Sequence, residues 1–162
     1  GHGILDKKEN RGYWLPTDAE KELPSKWISN AFISDQAKAT EAKHVLLIVD
    51  SCFAGTLMRS GTSNVKRKLD EKYIKRLQKK KTRLVITSGG VEPVLDNTGG
   101  KHSVFSQILI DILKESKNVI STASIFEQIR QNVGANADQI PERAVIHKTG
   151  HDGGDFLFFP KS

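Results

Sequence analysis

An α/β fold built on a mainly parallel sheet is what the sequence predicts, on three observations. Val45-Leu46-Leu47-Ile48-Val49 and Leu84-Val85-Ile86 are continuous aliphatic runs halted by small or polar residues, the pattern of strands covered on both faces. Between and after them lie segments whose apolar residues recur three or four positions apart, the period of a helix packed along one side. Strands alternating with helices connect through right-handed crossovers, which gather the C-terminal strand tips on one edge. Three such strands are few for this kind of sheet, so the short N-terminal pieces are expected to join it, or further strands to precede Gly1.

Taken in order, Gly1 to Asp6 and Tyr13 to Pro16 read as two short extended pieces joined by a hairpin or loop across the charged, turn-like Lys7 to Gly12. Ser25, after Pro24, can cap a helix whose apolar face is Trp27, Ile28, Ala31 and Phe32 and which fades before His44. The first long strand is then Val45 to Val49. Residues 56–65 are rich in Gly, Ser and Thr without periodicity and predict an exposed loop. Leu69, Tyr73 and Leu77 repeat every four residues, so Asp70 to Lys81 is expected to be a helix with a cationic outer face. Arg83 to Ser88 is the second strand, stopped by Gly89-Gly90 and followed by a loop over 91–100. Val104, Ile108 and Ile112 mark a helix capped by Ser103, and Ser124-x-x-Glu127 has the form of a capping box for another. Gly134 to Gly154 reads as polar loop with short extended pieces near Ala144 to Ile146, and Phe156 to Phe159 as a last strand.

A chain of 162 residues is the size of one domain. Its single cysteine cannot form an internal disulfide, which suits a reducing compartment, and a cytoplasmic location is expected. No apolar run reaches the roughly 18 to 20 residues of a membrane span, so no membrane partner is expected. The net charge of +6 raises nucleic acid as a partner. Its distribution argues against that, because Lys66 to Arg83 holds ten basic residues against two acidic ones, while the rest of the chain holds fifteen against seventeen. Few aromatics interleave the basic segment.

The first strand ends in Asp50-Ser51-Cys52-Phe53-Ala54-Gly55, delivering a thiol to an exposed tip where small residues leave the sulfur approachable. A thiol attacks as thiolate and needs a base or an electropositive setting to ionise. Of the five histidines, His44 precedes the strand and so lies about 16 Å from the thiol on the opposite edge. His2, between two glycines, stands fifty positions before Cys52. His102, His147 and His151 read as surface loop residues, and no zinc-ligand spacing is present.

His2-Gly3, then Gly12-Tyr13-Trp14-Leu15-Pro16-Thr17-Asp18-Ala19, then Asp50-Ser51-Cys52-Phe53-Ala54-Gly55 together resemble the caspase-fold cysteine peptidases, and within them the bacterial metacaspase-like proteins. The likeness continues through Leu84 to Gly89, Ser103-Val104-Phe105 and Gly153 to Leu157. The resemblance implies a caspase-like three-layer αβα sandwich, with strands before the catalytic histidine, so that the chain would be part of something longer. It implies a dyad in which His2 activates Cys52 and protonates the leaving amine. It also implies an oxyanion hole from the N–H groups of Gly3 and Cys52. Asp50 matches the acid that metacaspases place in the S1 pocket, and a carboxylate there favours a P1 Arg or Lys and repels Asp. Asp18 resembles a second such acid, and Glu92 or Asp96 a third. No cofactor is implied, and dependence on calcium is not readable from the sequence.

Each site residue has an ordinary alternative. A lone Cys is commonly a small buried hydrophobe, Asp50 can cap a turn, and Asp18 and Glu92 can be loop acids. The cationic helix is either a solvated face or, in a peptidase cutting after basic residues, a place of autoprocessing within 66–83. A catalytically silent caspase-like domain whose basic helix contacts acidic partners is the rival to an enzyme.

Overall fold

The computed structural model describes residues 2–20, 22–51, 58–59, 69–89, 102–136 and 140–161, with the backbone alone at 58–59 and 135–136. Strands β1 (His2–Asp6) and β2 (Arg11–Leu15) form an antiparallel hairpin that sets His2 opposite Leu15 and Gly3 opposite Trp14. Asp6 closes the turn, its Oδ1 accepting the N–H groups of Lys8 at 2.8 Å and Glu9 at 3.3 Å. Asn10 completes it at φ 52°, a left-handed conformation that asparagine tolerates. Strand β3 (Ile28–Ser29) pairs antiparallel with β2. The N-terminal pieces thus form a three-stranded sheet of their own and do not extend the main one.

The helix expected from Ser25 begins only at Asn30. Pro24–Lys26 make a single 3₁₀ turn. Trp27 is held by its indole N–H on the Glu20 carbonyl, 3.0 Å away, and by an edge-to-face contact with Tyr13 at 5.5 Å. With Ile28 drawn into β3, capping passes to Ser29, whose Oγ accepts the Phe32 N–H, and α1 spans Asn30–Ala39.

The chain continues as β4 (His44–Val49), β5 (Met58–Arg59), α2 (Glu71–Lys79) and β6 (Thr82–Thr87). It then runs through α3 (Val104–Glu115), β7 (Ile120–Ser121), α4 (Thr122–Asn136), β8 (Glu142–Ile146) and β9 (Leu157–Phe158). The main sheet has the order β4-β6-β8-β5. Strands β4 and β6 are parallel, but β8 runs antiparallel to both β6 and β5, so the sheet is of mixed orientation rather than mainly parallel. The helices and mixed sheets together make an α/β fold. Strand β8 was legible only as a possible extended piece in a loop because Glu142 and Arg143 break its apolar pattern. Arg143 is accommodated by a buried ion pair with Asp155 at 3.1 Å. Met58 and Arg59, expected in a loop, pair with Ile146 and Val145. Phe156 to Phe159, expected to add to the main sheet, instead contribute β9 to a separate pair with β7.

Side chains alternate across the central strand β6. Val85 packs on one face with Ala37, Val49, Ala144 and Ile146, and Trp14, Ile33 and Leu47 lie against this cluster. Ile86 packs on the other with Phe105, Ile112, Ile125, Phe126, Ile129 and Val133, joined by Leu46. Each such aliphatic side chain contributes roughly 1.5–3 kcal/mol when fully buried. Strand β6 is buried throughout, as a central strand must be, whereas β4 lies at the edge of the sheet among the described residues and leaves Ile48 39% exposed. The second aliphatic run therefore has the expected double cover in full, whereas the first is packed on one face through Leu46 and on the other through Leu47 and Val49 but is left open at Ile48.

Caps fix the helix starts. Ser103 Oγ accepts the Ser106 N–H at 3.0 Å, as the sequence predicts, and Asp70, expected as the first residue of its helix, instead caps it, its Oδ1 accepting the Tyr73 N–H at 2.7 Å. Helix α4 begins two residues before Ser124, because Ser121 Oγ takes the Ser124 N–H at 3.2 Å and so displaces the expected capping box. The same helix runs on through Gly134, which the sequence placed in a loop.

Two side chains fasten the edge of the sheet away from the strand tips. Arg83 is fully buried. Its Nε donates to the Ala37 carbonyl at 2.6 Å, Nη1 to Thr82 and Lys43, and Nη2 to Thr40 and Ala42. A guanidinium has five N–H donors, and here they meet five carbonyls, including those orphaned at the end of α1. The Arg83 N–H lies beyond the last β6–β8 pair, Leu84 with Val145, and His151 Nδ1 accepts it at 3.1 Å. His151 is therefore a half-buried part of the fold rather than a surface loop residue. Burial, and next the Arg143 charge, hold its imidazole below the usual value of 6.5, against the opposing pull of Asp155 and Asp152. Nearby, a Cβ on Gly154 would lie 2.8 Å from the Lys80 carbonyl oxygen, so glycine is required by close approach.

Candidate active site

The parallel register of β4 and β6 pairs His44 with Thr82 and Val49 with Thr87, so the two strands end level. The Ser88 N–H donates to the Val49 carbonyl at 3.0 Å and carries the pairing one step further. Asp50 and Ser51 follow immediately, with Ser51 buried. Cys52, the expected nucleophile and oxyanion donor, lies outside the described residues, as do Glu92 and Asp96.

Asp50 is engaged from α3. The hydroxyls of Ser103 and Ser106 both donate to its Oδ2, that of Ser106 at 2.7 Å. The alternation of the strand explains this, since Leu46 and Ile86 face the α3 and α4 cluster while Leu47 and Val49 face α1. Asp50 shares the side of Leu46. Its carboxylate thereby sits at the start of a twelve-residue helix, where the aligned peptide dipoles favour negative charge. At the same level, the buried hydroxyls of Thr87, on the Val85 face of β6, and of Ser88, just past its end on the Ile86 face, have no hydrogen-bond partner among the described residues.

His2 is exposed at the first position of β1. Its neighbour Gly3 pairs with Trp14, and Trp14 packs against the cluster that holds Val49. Hairpin and strand tip are thus linked through one indole. Asp18 lies three residues beyond Leu15, the partner of His2, at the same end of the hairpin. Its carboxylate is exposed and 3.8 Å from Lys26 Nζ, a contact that contributes little in solvent.

His44 is occupied elsewhere, as its position before the strand predicts. Its Nε2 meets the Gln78 carbonyl and its Nδ1 the Thr82 hydroxyl, each at 3.1 Å. A carbonyl only accepts, so Nε2 carries the proton and Nδ1 receives the hydroxyl's. Among the described residues no cluster of three His, Cys, Asp or Glu side chains could hold a metal, and no helix is long and apolar enough to cross a membrane. The sequence reading missed the second task of Ser103 and any task for Ser106. The available signal was a hydroxyl on both ends of the first helical turn, Ser103-x-x-Ser106, after the second strand.

A strand of an α/β fold that leads, in sequence, into Asp50-Ser51-Cys52 directs the comparison to one class, the cysteine peptidases of caspase type. The caspase domain family model matches residues 1–149, and the chain belongs to that family of thiol-dependent hydrolases. No curated protein matches the chain.

Proposed function

We propose that the chain is a metacaspase-like cysteine endopeptidase, with the three-layer caspase architecture, that cuts after Arg or Lys by a His2–Cys52 dyad. The observation that carries the reading is the β4 tip: in a chain of the caspase domain family, Asp50 stands two residues before the only cysteine, its carboxylate bonded to hydroxyl donors. The Cys52 thiolate attacks the scissile carbonyl carbon, and the N–H groups of Gly3 and Cys52 receive the charge developing on its oxygen. Collapse of the tetrahedral intermediate breaks the C–N bond, with His2 protonating the departing amine. Water, deprotonated by His2, then releases the acyl group from sulfur. Asp50, with Asp18 and one of Glu92 or Asp96, selects the cationic P1 side chain.

The test is cleavage of fluorogenic peptides ending in Arg or in Asp, with and without calcium. Wild type should cleave the Arg peptide in preference, and Cys52→Ala should lose at least about a thousandfold. Cleavage of neither peptide, or equal cleavage by Cys52→Ala, overturns the proposal.

One observation favours a second reading, a silent domain that docks acidic protein segments. Helix α2 buries only Leu77 fully and exposes Lys72, Lys75, Arg76 and Lys79. The same incubation distinguishes the readings, because new N-termini within 66–83 that Cys52→Ala does not produce belong to an autoprocessing enzyme and not to a docking module.

A further inference from the structure

We propose that Ser106, together with Ser103, is a positioning residue for cation recognition: the two hydroxyls hold the Asp50 carboxylate in place to receive the guanidinium or ammonium of a ligand. The inference rests on the reading of Asp50 as the P1 selector and adds the residues that make it one.

Both hydroxyls converge on a single oxygen, Oδ2. Two donors on one oxygen fix the plane of the carboxylate as well as its position, and both come from one rigid helical turn. Ser103 is itself held, since its Oγ accepts the Ser106 N–H at 3.0 Å while its own proton goes to Asp50. A preorganised carboxylate gives up little rotamer freedom when a ligand arrives. On the same face, just beyond Ile86, Ser88 Oγ is a buried hydroxyl with no partner among the described residues. Buried hydroxyls are seldom left so, and a side chain bringing several N–H donors to the tip suits it.

A purely structural clip between β4 and α3 would use the same bonds, so the test must separate clip from selector. Ser106→Val and Ser106→Thr are nearly isosteric, and only threonine keeps the hydroxyl; Ser106→Ala is the second deletion variant. The probe is benzamidine, a small arginine mimic, with neutral benzamide as control, titrated into each protein by calorimetry.

Wild type and Ser106→Thr should bind benzamidine alike and benzamide not at all, and Ser106→Val and Ser106→Ala should bind about tenfold more weakly. With peptides ending in Arg or Gln, the deletion variants should raise KM for Arg, leave kcat nearly unchanged, and lower the Arg-to-Gln ratio of kcat/KM. No benzamidine binding by wild type, equal binding by all variants, or an equal loss on both peptides overturns the inference. Benzamidine needs no thiol. Hydroxyl-dependent binding without Cys52-dependent cleavage would sustain the inference and sink the peptidase, whereas cleavage with an unchanged Arg-to-Gln ratio would do the reverse.

Discussion

Arg83 shows how a charge can be buried with no counter-ion among the described residues: five N–H donors and five carbonyl acceptors leave no donor unmet. Lysine has the charge but only three donors and no planar fork. Arg83→Lys should therefore lower the stability by about 2–4 kcal/mol, read as a drop in the urea midpoint at unchanged slope. An unchanged midpoint would mean that water serves the abandoned carbonyls equally well. Nothing in the sequence pointed to this role, because Arg83 stands at the end of a cationic run and reads as one more of its members.

Among the elements, the helices announced themselves best where cap and periodicity agree. Ser103 caps as predicted. Prediction failed where tertiary pairing drew residues away, as with Ile28 into β3, and fell short at β8, where the extended piece expected near Ala144 to Ile146 starts at Glu142 and lies in the middle of the main sheet. The hairpin bearing His2 and the strand leading to Asp50 were legible from local pattern. The bond from Ser106 to Asp50 was not, since it joins residues 56 apart in sequence. Strand β4, an edge strand among the described residues, carries a further consequence, because an aliphatic edge without charge or proline invites pairing with other chains. Ile48→Lys, at a 39% exposed position, should reduce concentration-dependent light scattering while shifting stability by under about 1 kcal/mol. Equal scattering by both proteins would clear this edge of responsibility.

For the whole molecule, His151 ties folding to proton concentration. Its folded-state pKa is lowered from the usual 6.5, so the unfolded chain takes up the proton first as pH falls. Its contribution to stability is complete above about pH 6.5 and declines below it until the folded form is protonated too. A protonated Nδ1 could no longer accept the Arg83 N–H. The thermal midpoint should thus fall on acidification from neutral pH, and His151→Gln, which keeps an acceptor, should flatten that slope. Parallel slopes would assign the pH dependence to other groups.

The two sheets have one more effect, which concerns timing. On the proposed dyad, the base rides on the small antiparallel sheet and the nucleophile follows a strand of the large one, with Trp14 of the first sheet seated on the Val49 cluster of the second. Neither sheet alone contains a working pair. If the proposed dyad holds, a nascent or partly unfolded chain, whose own Lys- and Arg-rich segment would be the nearest thing to cut, would stay harmless to itself until that indole had found its place.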